Sequence, residues 1–239
     1  APRAQVWASE SGGSYGSGAP NVTETFVSAF WYLDELGAMA RRSVALHCRQ
    51  TLVGGHYALL RRVAGDDDAS RTRPVFAPNP DFFATRLWAA LMGARVVSAA
   101  LRALGAAPGE EEGETARRDE AEEASAAIPQ RVRDARVYAH CRRAARGTAF
   151  FGDVVVLVVN SASRRALRVE LPAALRNLRR DEFHVTAPAR SGDDTSPDVD
   201  GRRTLLNGRL LLTVDAPLVP RRAAPRHPLI VDPVSYAFV

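Results

Sequence analysis

In the run Val6-Trp7-Ala8-Ser9-Glu10-Ser11-Gly12-Gly13-Ser14-Tyr15-Gly16-Ser17-Gly18-Ala19-Pro20, a short apolar strand delivers one carboxylate into a glycine-rich loop. A carboxylate at a strand end projects past the last paired residue into open space, and (β/α) barrels carry their catalytic groups at such ends. Glu10 is therefore where the chemistry of this chain is expected. The same spacing also fits a solvated loop carboxylate followed by a glycine turn. A second stretch, Gln50-Thr51-Leu52-Val53-Gly54-Gly55-His56-Tyr57, sets an amide, two glycines and a phenol after another apolar run. Gln50 and Tyr57 read either as site-lining groups or as a rim amide and a packing aromatic. A phosphate-binding loop fits poorly, because Gly12 to Gly18 lacks the Gly-Lys-Ser/Thr ending that would place a lysine and a hydroxyl on phosphate and metal.

The elements that must position these residues are legible from periodicity. From residue 1 to about 93 the pattern runs strand, helix, strand, helix. Asn21, with Glu24 completing a capping box, predicts a helix start, and Phe26, Ala29, Phe30, Leu33 and Leu36 mark its apolar face before Gly37. Val44 to Arg49 reads as the second strand. Asn79 as cap, Pro80 in the first turn and the stripe Phe83, Leu87, Trp88, Leu91 predict the second helix. Beyond residue 93 the period becomes that of strands, expected at Arg95–Leu101, Arg136–Cys141, Asp153–Val159, Ala166–Leu171, Glu182–Ala187, Arg209–Val214 and Val234–Val239. Asn207-Gly208 predicts a type I′ hairpin. Many short strands with polar turns argue for a β-sandwich over 94–239. Two segments read as solvated insertions: the acidic stretch at about 105–130, and Ser191 to Asp200, rich in Asp, Ser, Gly and Pro.

The 239 residues are 46% hydrophobic, enough for a core in one large domain or two ordinary ones. All the basic residues are arginine, and the formal net charge is +5. A surface this basic can attract polyanions, yet no nucleic-acid motif is present and scattered arginines also read as a solvated face, so no nucleic-acid partner is expected. No apolar run reaches the roughly 18 residues of a membrane-spanning helix, and Ala1-Pro2-Arg3-Ala4 carries no signal-peptide pattern. Two cysteines are too few for a disulfide framework. Cys48, inside an apolar strand, is expected to be a buried thiol. The five histidines lack metal-ligand spacing, and neither a metal nor another cofactor is implied.

Four ordered motifs carry a specific resemblance: Trp7-Ala8-Ser9-Glu10-Ser11-Gly12-Gly13-Ser14-Tyr15, Phe30-Trp31-Tyr32-Leu33-Asp34-Glu35-Leu36-Gly37, Cys48-Arg49-Gln50-Thr51-Leu52-Val53-Gly54-Gly55 and Pro78-Asn79-Pro80-Asp81. Together they resemble the carboxyl-terminal half of heparanase-like glycoside hydrolases of the family 79 type, with wording nearer the plant members. The resemblance returns at Arg136-Val137-Tyr138-Ala139-His140-Cys141 and Ser235-Tyr236-Ala237-Phe238. It implies an α/β plus β fold, the C-terminal part of a (β/α)8 TIM barrel followed by a β-sandwich, with residues 1–93 as the last two βα units of the catalytic barrel. The N-terminal half of that barrel would be the chain's structural partner. It also implies a disulfide partner for Cys141 near the carboxyl terminus, which this chain, stopping at Val239, does not contain.

By that resemblance Glu10 is the nucleophile of a retaining glycosidase acting on β-glucuronosyl linkages. Tyr15, Gly16 and Ser17 would hold the uronic acid carboxylate through backbone N–H groups, and Gln50, Gly55 and Tyr57 would line the same subsite. The substrate would be a glucuronic-acid-containing glycan or glucuronide, met outside the cell, in the cell wall or in endomembranes. Retaining hydrolysis needs a second carboxyl group roughly 5–5.5 Å from the first to protonate the leaving oxygen. The family carries that acid on an Asn-Glu motif, and no Asn-Glu dipeptide occurs in this sequence. The chain by itself is therefore expected to be inactive, and a non-catalytic carbohydrate-binding protein derived from such an enzyme is the alternative. Asn21-Val22-Thr23 is also an N-glycosylation sequon, a second use for the asparagine read above as a helix cap.

Overall fold

The computed structural model describes residues 4–63, 75–103, 133–143 and 153–239, with the side chains of 193–195 excepted; the acidic stretch lies outside them. The chain opens with β1 (Val6–Ser11), α1 (Ser28–Arg41) and β2 (Val44–Arg49), and β1 and β2 pair in parallel, as a βαβ crossover requires. A hairpin absent from the sequence reading follows, β3 (Leu60–Val63) against β4 (Val75–Pro78). Then come α2 (Pro80–Leu91) and β5 (Met92–Val97). Proline at the start of α2 supplies a preset φ and lacks only an N–H that the first turn leaves unbonded.

The remaining strands are β6 (Ala135–Arg142), β7 (Val154–Asn160), β8 (Leu167–Val169), β9 (Arg180–Thr186), β10 (Ala189–Arg190), β11 (Asp193–Pro197), β12 (Thr204–Leu206), β13 (Arg209–Leu211), β14 (Arg221–Ala223), β15 (Leu229–Val231) and β16 (Ser235–Phe238), with a one-turn helix α3 (Ala173–Arg176) before β9. They build an eight-stranded sheet in the order β13-β12-β9-β16-β7-β6-β5, with β14 on β9; β8 pairs separately with β15. Pleating sorts the side chains. Val155, Leu157, Val159, Tyr236 and Phe238 face one way and form a single cluster with Phe26, Leu33, Phe83 and Leu87 of the α1–α2 region. Val158 and Ala237 face the other way, onto Leu229 and Val231 of β15. The molecule is thus mostly sheet, helices covering one face and a two-stranded sheet the other.

Three sequence expectations change. Helix α1 begins at Ser28, with Val27 rather than Asn21 at its cap. Asn21 sits in a turn at φ 59°, where its N–H donates to Glu24 Oε1 at 2.9 Å; half of the capping box forms without a helix. The reason is tertiary: the Phe26 and Val27 N–H groups, which an earlier helix start would have taken, donate to Gly201 and Val199 at 2.8 and 3.1 Å. Val199 lies in, and Gly201 just after, the segment from Ser191 to Asp200, which is no loose insertion but contains β11 paired to β10. Thirdly, Cys48 is exposed, since it lies on the side of β2 away from α1. The Asn207-Gly208 turn forms as expected, both residues at positive φ (50° and 79°) between Leu206 and Arg209.

Candidate active site

Ser11, at the end of β1, fixes the strand's orientation. Its Oγ donates to Glu35 Oε1 on α1, and its carbonyl accepts the Gln50 N–H at 2.8 Å, so β1 and β2 end level with one another. His47 of β2 faces the same helix, 3.2 Å from Glu35 Oε2. Glu10, the neighbour of Ser11, is exposed and has neither a hydrogen bond nor an ion pair among the described residues. A carboxylate left this way is sterically open, a condition for attack on an external electrophile.

The loop after Glu10 runs through positive φ at Gly16 (67°), Ser17 (71°) and Gly18 (95°). Two glycines favour that path; Ser17 is held in it by its carbonyl, which accepts the His56 N–H at 2.7 Å. The N–H groups of Tyr15, Gly16 and Ser17 make no hydrogen bond among the described residues, and the Tyr15 side chain is fully exposed. Three unspent donors in one exposed loop suit an anionic ligand.

The second loop packs directly on the first. Tyr57 is buried, its ring edge 3.1 Å from where a side-chain carbon on Gly12 would stand, so glycine lets the ring approach without a shift of a few tenths of an ångström. Gly55, at φ 71°, leaves no more than 2.7 Å between such a carbon and the Ser17 carbonyl oxygen. Ser17, Gly55 and Tyr57 are therefore brought together, and Gln50 joins through its backbone bond to Ser11. Tyr15 and Glu10 stand free in front of them.

Several residues beneath the loops were not singled out from the sequence. Arg49 joins Asp81 of α2 at 2.6 Å and the Tyr57 carbonyl at 2.9 Å. Glu24, buried below the first loop, accepts from Arg202 at 2.8 Å and lies 3.6 Å from His56. Desolvation pushes the Glu24 carboxyl up, but the Asn21 N–H and the Arg202 guanidinium outweigh it and hold the group below the ordinary range. Arg49 and Asp81 lay inside the motifs quoted above; only the fold shows that they meet. No group of three or more His, Cys, Asp or Glu side chains among the described residues could hold a metal.

The sequence profile of the glycosyl hydrolase family 79 N-terminal domain matches residues 1–37, the segment that contains Glu10 and its loop. Heparanase-like protein 1 of Arabidopsis thaliana is 31% identical over 100% of this chain and 41% of its own length. Heparanase of Gallus gallus is 31% identical over 99% of the chain and 38% of its own. Baicalin-beta-D-glucuronidase of Scutellaria baicalensis is 26% identical over 99% of the chain and 36% of its own. The chain thus spans about two-fifths of the length of these relatives. Among solved structures, the GH51 alpha-L-arabinofuranosidase of Thermotoga petrophila superposes with a TM-score of 0.57 at 14% identity, covering 98% of this chain and 42% of that one. The corresponding enzyme of Thermotoga maritima gives a TM-score of 0.51 at 11% identity, with the same coverage. The arrangement of strands and helices is therefore shared with part of those glycosidases, and over nearly its whole length the chain is similar to heparanase-like proteins and heparanase, its first 37 residues matching the glycosyl hydrolase family 79 N-terminal domain.

Proposed function

We propose that the chain is the nucleophile-bearing part of a retaining glycoside hydrolase that cleaves β-glucuronosyl linkages. The observation that carries this reading is an exposed Glu10, followed by a loop whose Tyr15, Gly16 and Ser17 N–H groups, like Glu10 itself, have no partner among the described residues. In this reading β1-α1 and β2-α2 are the last two units of a (β/α)8 barrel and the strands after residue 93 form its β-sandwich. The Glu10 carboxylate attacks the anomeric carbon of a glucuronosyl group and forms an ester. The bond to the aglycone oxygen breaks, and that oxygen takes a proton from a second carboxylic acid. Water, deprotonated by the same second group, then releases glucuronate with its original anomeric configuration. The N–H groups of Tyr15, Gly16 and Ser17 hold the uronate carboxylate, whose desolvation they offset, while Gln50, Gly55 and Tyr57 line the same subsite. The substrate is a glucuronic-acid-containing glycan or a glucuronide.

The full-length gene product is expected to hydrolyse an aryl β-glucuronide with retention, seen by proton NMR of the first-formed anomer, and to leave the matching β-glucoside almost untouched. An inverted product or equal rates on both sugars would contradict the reading. The second reading is a non-catalytic carbohydrate-binding or interaction protein derived from such an enzyme. That reading predicts that the full-length product binds glucuronides and turns over none.

We place this activity outside the cell, in the cell wall or in endomembranes. Support comes from Asn21: exposed, in a turn, without the capping role that would occupy its side chain, and followed by Val22-Thr23. Secreted material should lose the mass of a glycan on amidase treatment, and Asn21→Gln should abolish that loss. An unmodified Asn21 in secreted protein would count against glycosylation there. Among the described residues no helix is long and apolar enough to cross a membrane.

A further inference from the structure

The last residue of β2, Arg49, turns away from the candidate site yet touches what holds the second loop in place. Its Nη2 donates both to the Tyr57 carbonyl oxygen at 2.9 Å and to Asp81 Oδ2 at 2.6 Å. The guanidinium carbon lies 4.9 Å from the Trp31 ring centroid and 4.7 Å from that of Tyr32, both on α1. Helix α1, the first turn of α2 and the returning end of the loop therefore converge on one cation. The arginine and aspartate side chains keep only 6% and 0% of their exposure. Desolvating two such groups costs several kcal/mol each, which their attraction does little more than offset, and an apolar pair of the same volume commonly gives equal or greater stability. Stability alone thus gives little reason for an ion pair here, whereas a fixed position for a carbonyl does.

That carbonyl closes the loop. The chain leaves β2 at Gln50 and is caught again at Tyr57, eight residues beyond Arg49. Inside the closed segment lie the residues that meet the first loop: Gly55 against the Ser17 carbonyl, the His56 N–H donating to it, and the Tyr57 ring against Gly12. Moving the Tyr57 carbonyl moves all three contacts. Lysine could not replace this arrangement, because an ammonium has no planar face to pack against the aromatic rings of α1 while also bridging a carbonyl and a carboxylate.

Resting on the reading that these two loops hold a uronosyl group, we propose that Arg49 is a positioning residue for substrate recognition: by anchoring the Tyr57 carbonyl to α1 and Asp81, it sets the 50–57 loop at a fixed spacing from the Tyr15–Ser17 backbone. It touches no substrate and acts through the loop.

The test uses the full-length gene product and its R49K variant, which keeps the charge opposite Asp81, with two readouts. Amide hydrogen exchange across 50–57 should quicken roughly tenfold or more, with α1 unchanged, and KM for an aryl β-glucuronide should rise by about tenfold with kcat within about threefold. Quickened exchange without a KM change overturns the proposal, as does a KM change without quickened exchange. A parallel loss of kcat, melting temperature and α1 protection overturns it too, since that marks a merely structural residue. Should R49K fail to fold, Asp81→Asn, which frees the guanidinium from its carboxylate, is measured against the same outcomes. A wild-type protein that hydrolyses no glucuronide refutes the proposed function; the exchange measurement still decides whether Arg49 holds the loop, and unchanged exchange refutes that separately.

Discussion

At the residue scale, the buried carboxylates differ in what surrounds them, and pH should separate them. Burial pushes the Asp81 carboxyl up to about 7, with Arg49 as the main opposing influence. A carboxyl raised in the fold favours the protonated form, so its contribution to stability is complete below its ordinary value of 3.8 and is lost as pH rises through about 7. The stability difference between wild type and Asp81→Asn, followed by chemical denaturation, should therefore shift against the wild type between pH 4 and 7. A constant difference would refute the shift. Glu182 is the opposite case. Burial raises its carboxyl, but Arg221, His184 and Arg180, at 2.6, 2.9 and 2.7 Å, outweigh burial and hold it below the ordinary value of 4.5. Its contribution is present above that value and lost as pH falls through the lowered one. Removing it leaves the enclosed Arg180 uncompensated, so Glu182→Ala should cost about 3–5 kcal/mol at neutral pH, read from the denaturation midpoint. A third substitution probes the join between the loops: Gly55→Ala forces a side chain to positive φ and against the Ser17 carbonyl, and should cost about 1–3 kcal/mol. Glu10 and its glycine loop were legible in the sequence, because residue type and strand-end position coincide there. Arg49 and Asp81 were not legible as a pair, because a contact 32 residues apart leaves no periodic trace.

At the scale of elements, periodicity located helix α2, most of the strands and the Asn207-Gly208 turn, all of which rest on local rules. It misplaced the start of α1, where the local capping signal lost to strand-like hydrogen bonds from Phe26 and Val27 to residues far along the chain. The hairpin of β3 and β4 is not legible because Leu60-Arg61-Arg62-Val63 has no alternating apolar pattern, although Gly65-Asp66-Asp67-Asp68 just beyond it carries the residue types of a turn. One glycine shows how closely elements are fitted. Gly37 of α1 lies under the Tyr138 ring of β6, whose hydroxyl donates to Asp34 at 2.5 Å, and any side chain at 37 would overlap that ring. Gly37→Ala should therefore destabilise by about 1–3 kcal/mol despite alanine's better helix propensity. A stabilised variant in thermal melting would show that the ring has room to move.

At the scale of the whole molecule, β1 and β2 form a two-stranded parallel pair with α1 on one side, and Val6, Trp7 and Leu46 are 64%, 61% and 43% exposed. Parallel strands are ordinarily covered on both faces, so the 239 residues studied alone should self-associate and bind hydrophobic dyes; a monomer with one cooperative melt would contradict this. Such a face is what the open side of an incomplete barrel would present, and it is also where the proposed chemistry happens. Glu10 stands at its rim, and neither it nor the neighbouring donors of 15–17 have a partner among the described residues. Covalent trapping is the most direct measurement of that proposal. The full-length gene product is incubated with a 2-fluoro glucuronide whose good leaving group lets the ester accumulate, then digested and sequenced by mass spectrometry. The glucuronyl mass should lie on Glu10, and Glu10→Gln should abolish both labelling and turnover, lowering kcat by about a thousandfold or more. A label on any other carboxylate, or undiminished turnover by Glu10→Gln, would contradict the assignment of Glu10 as the nucleophile.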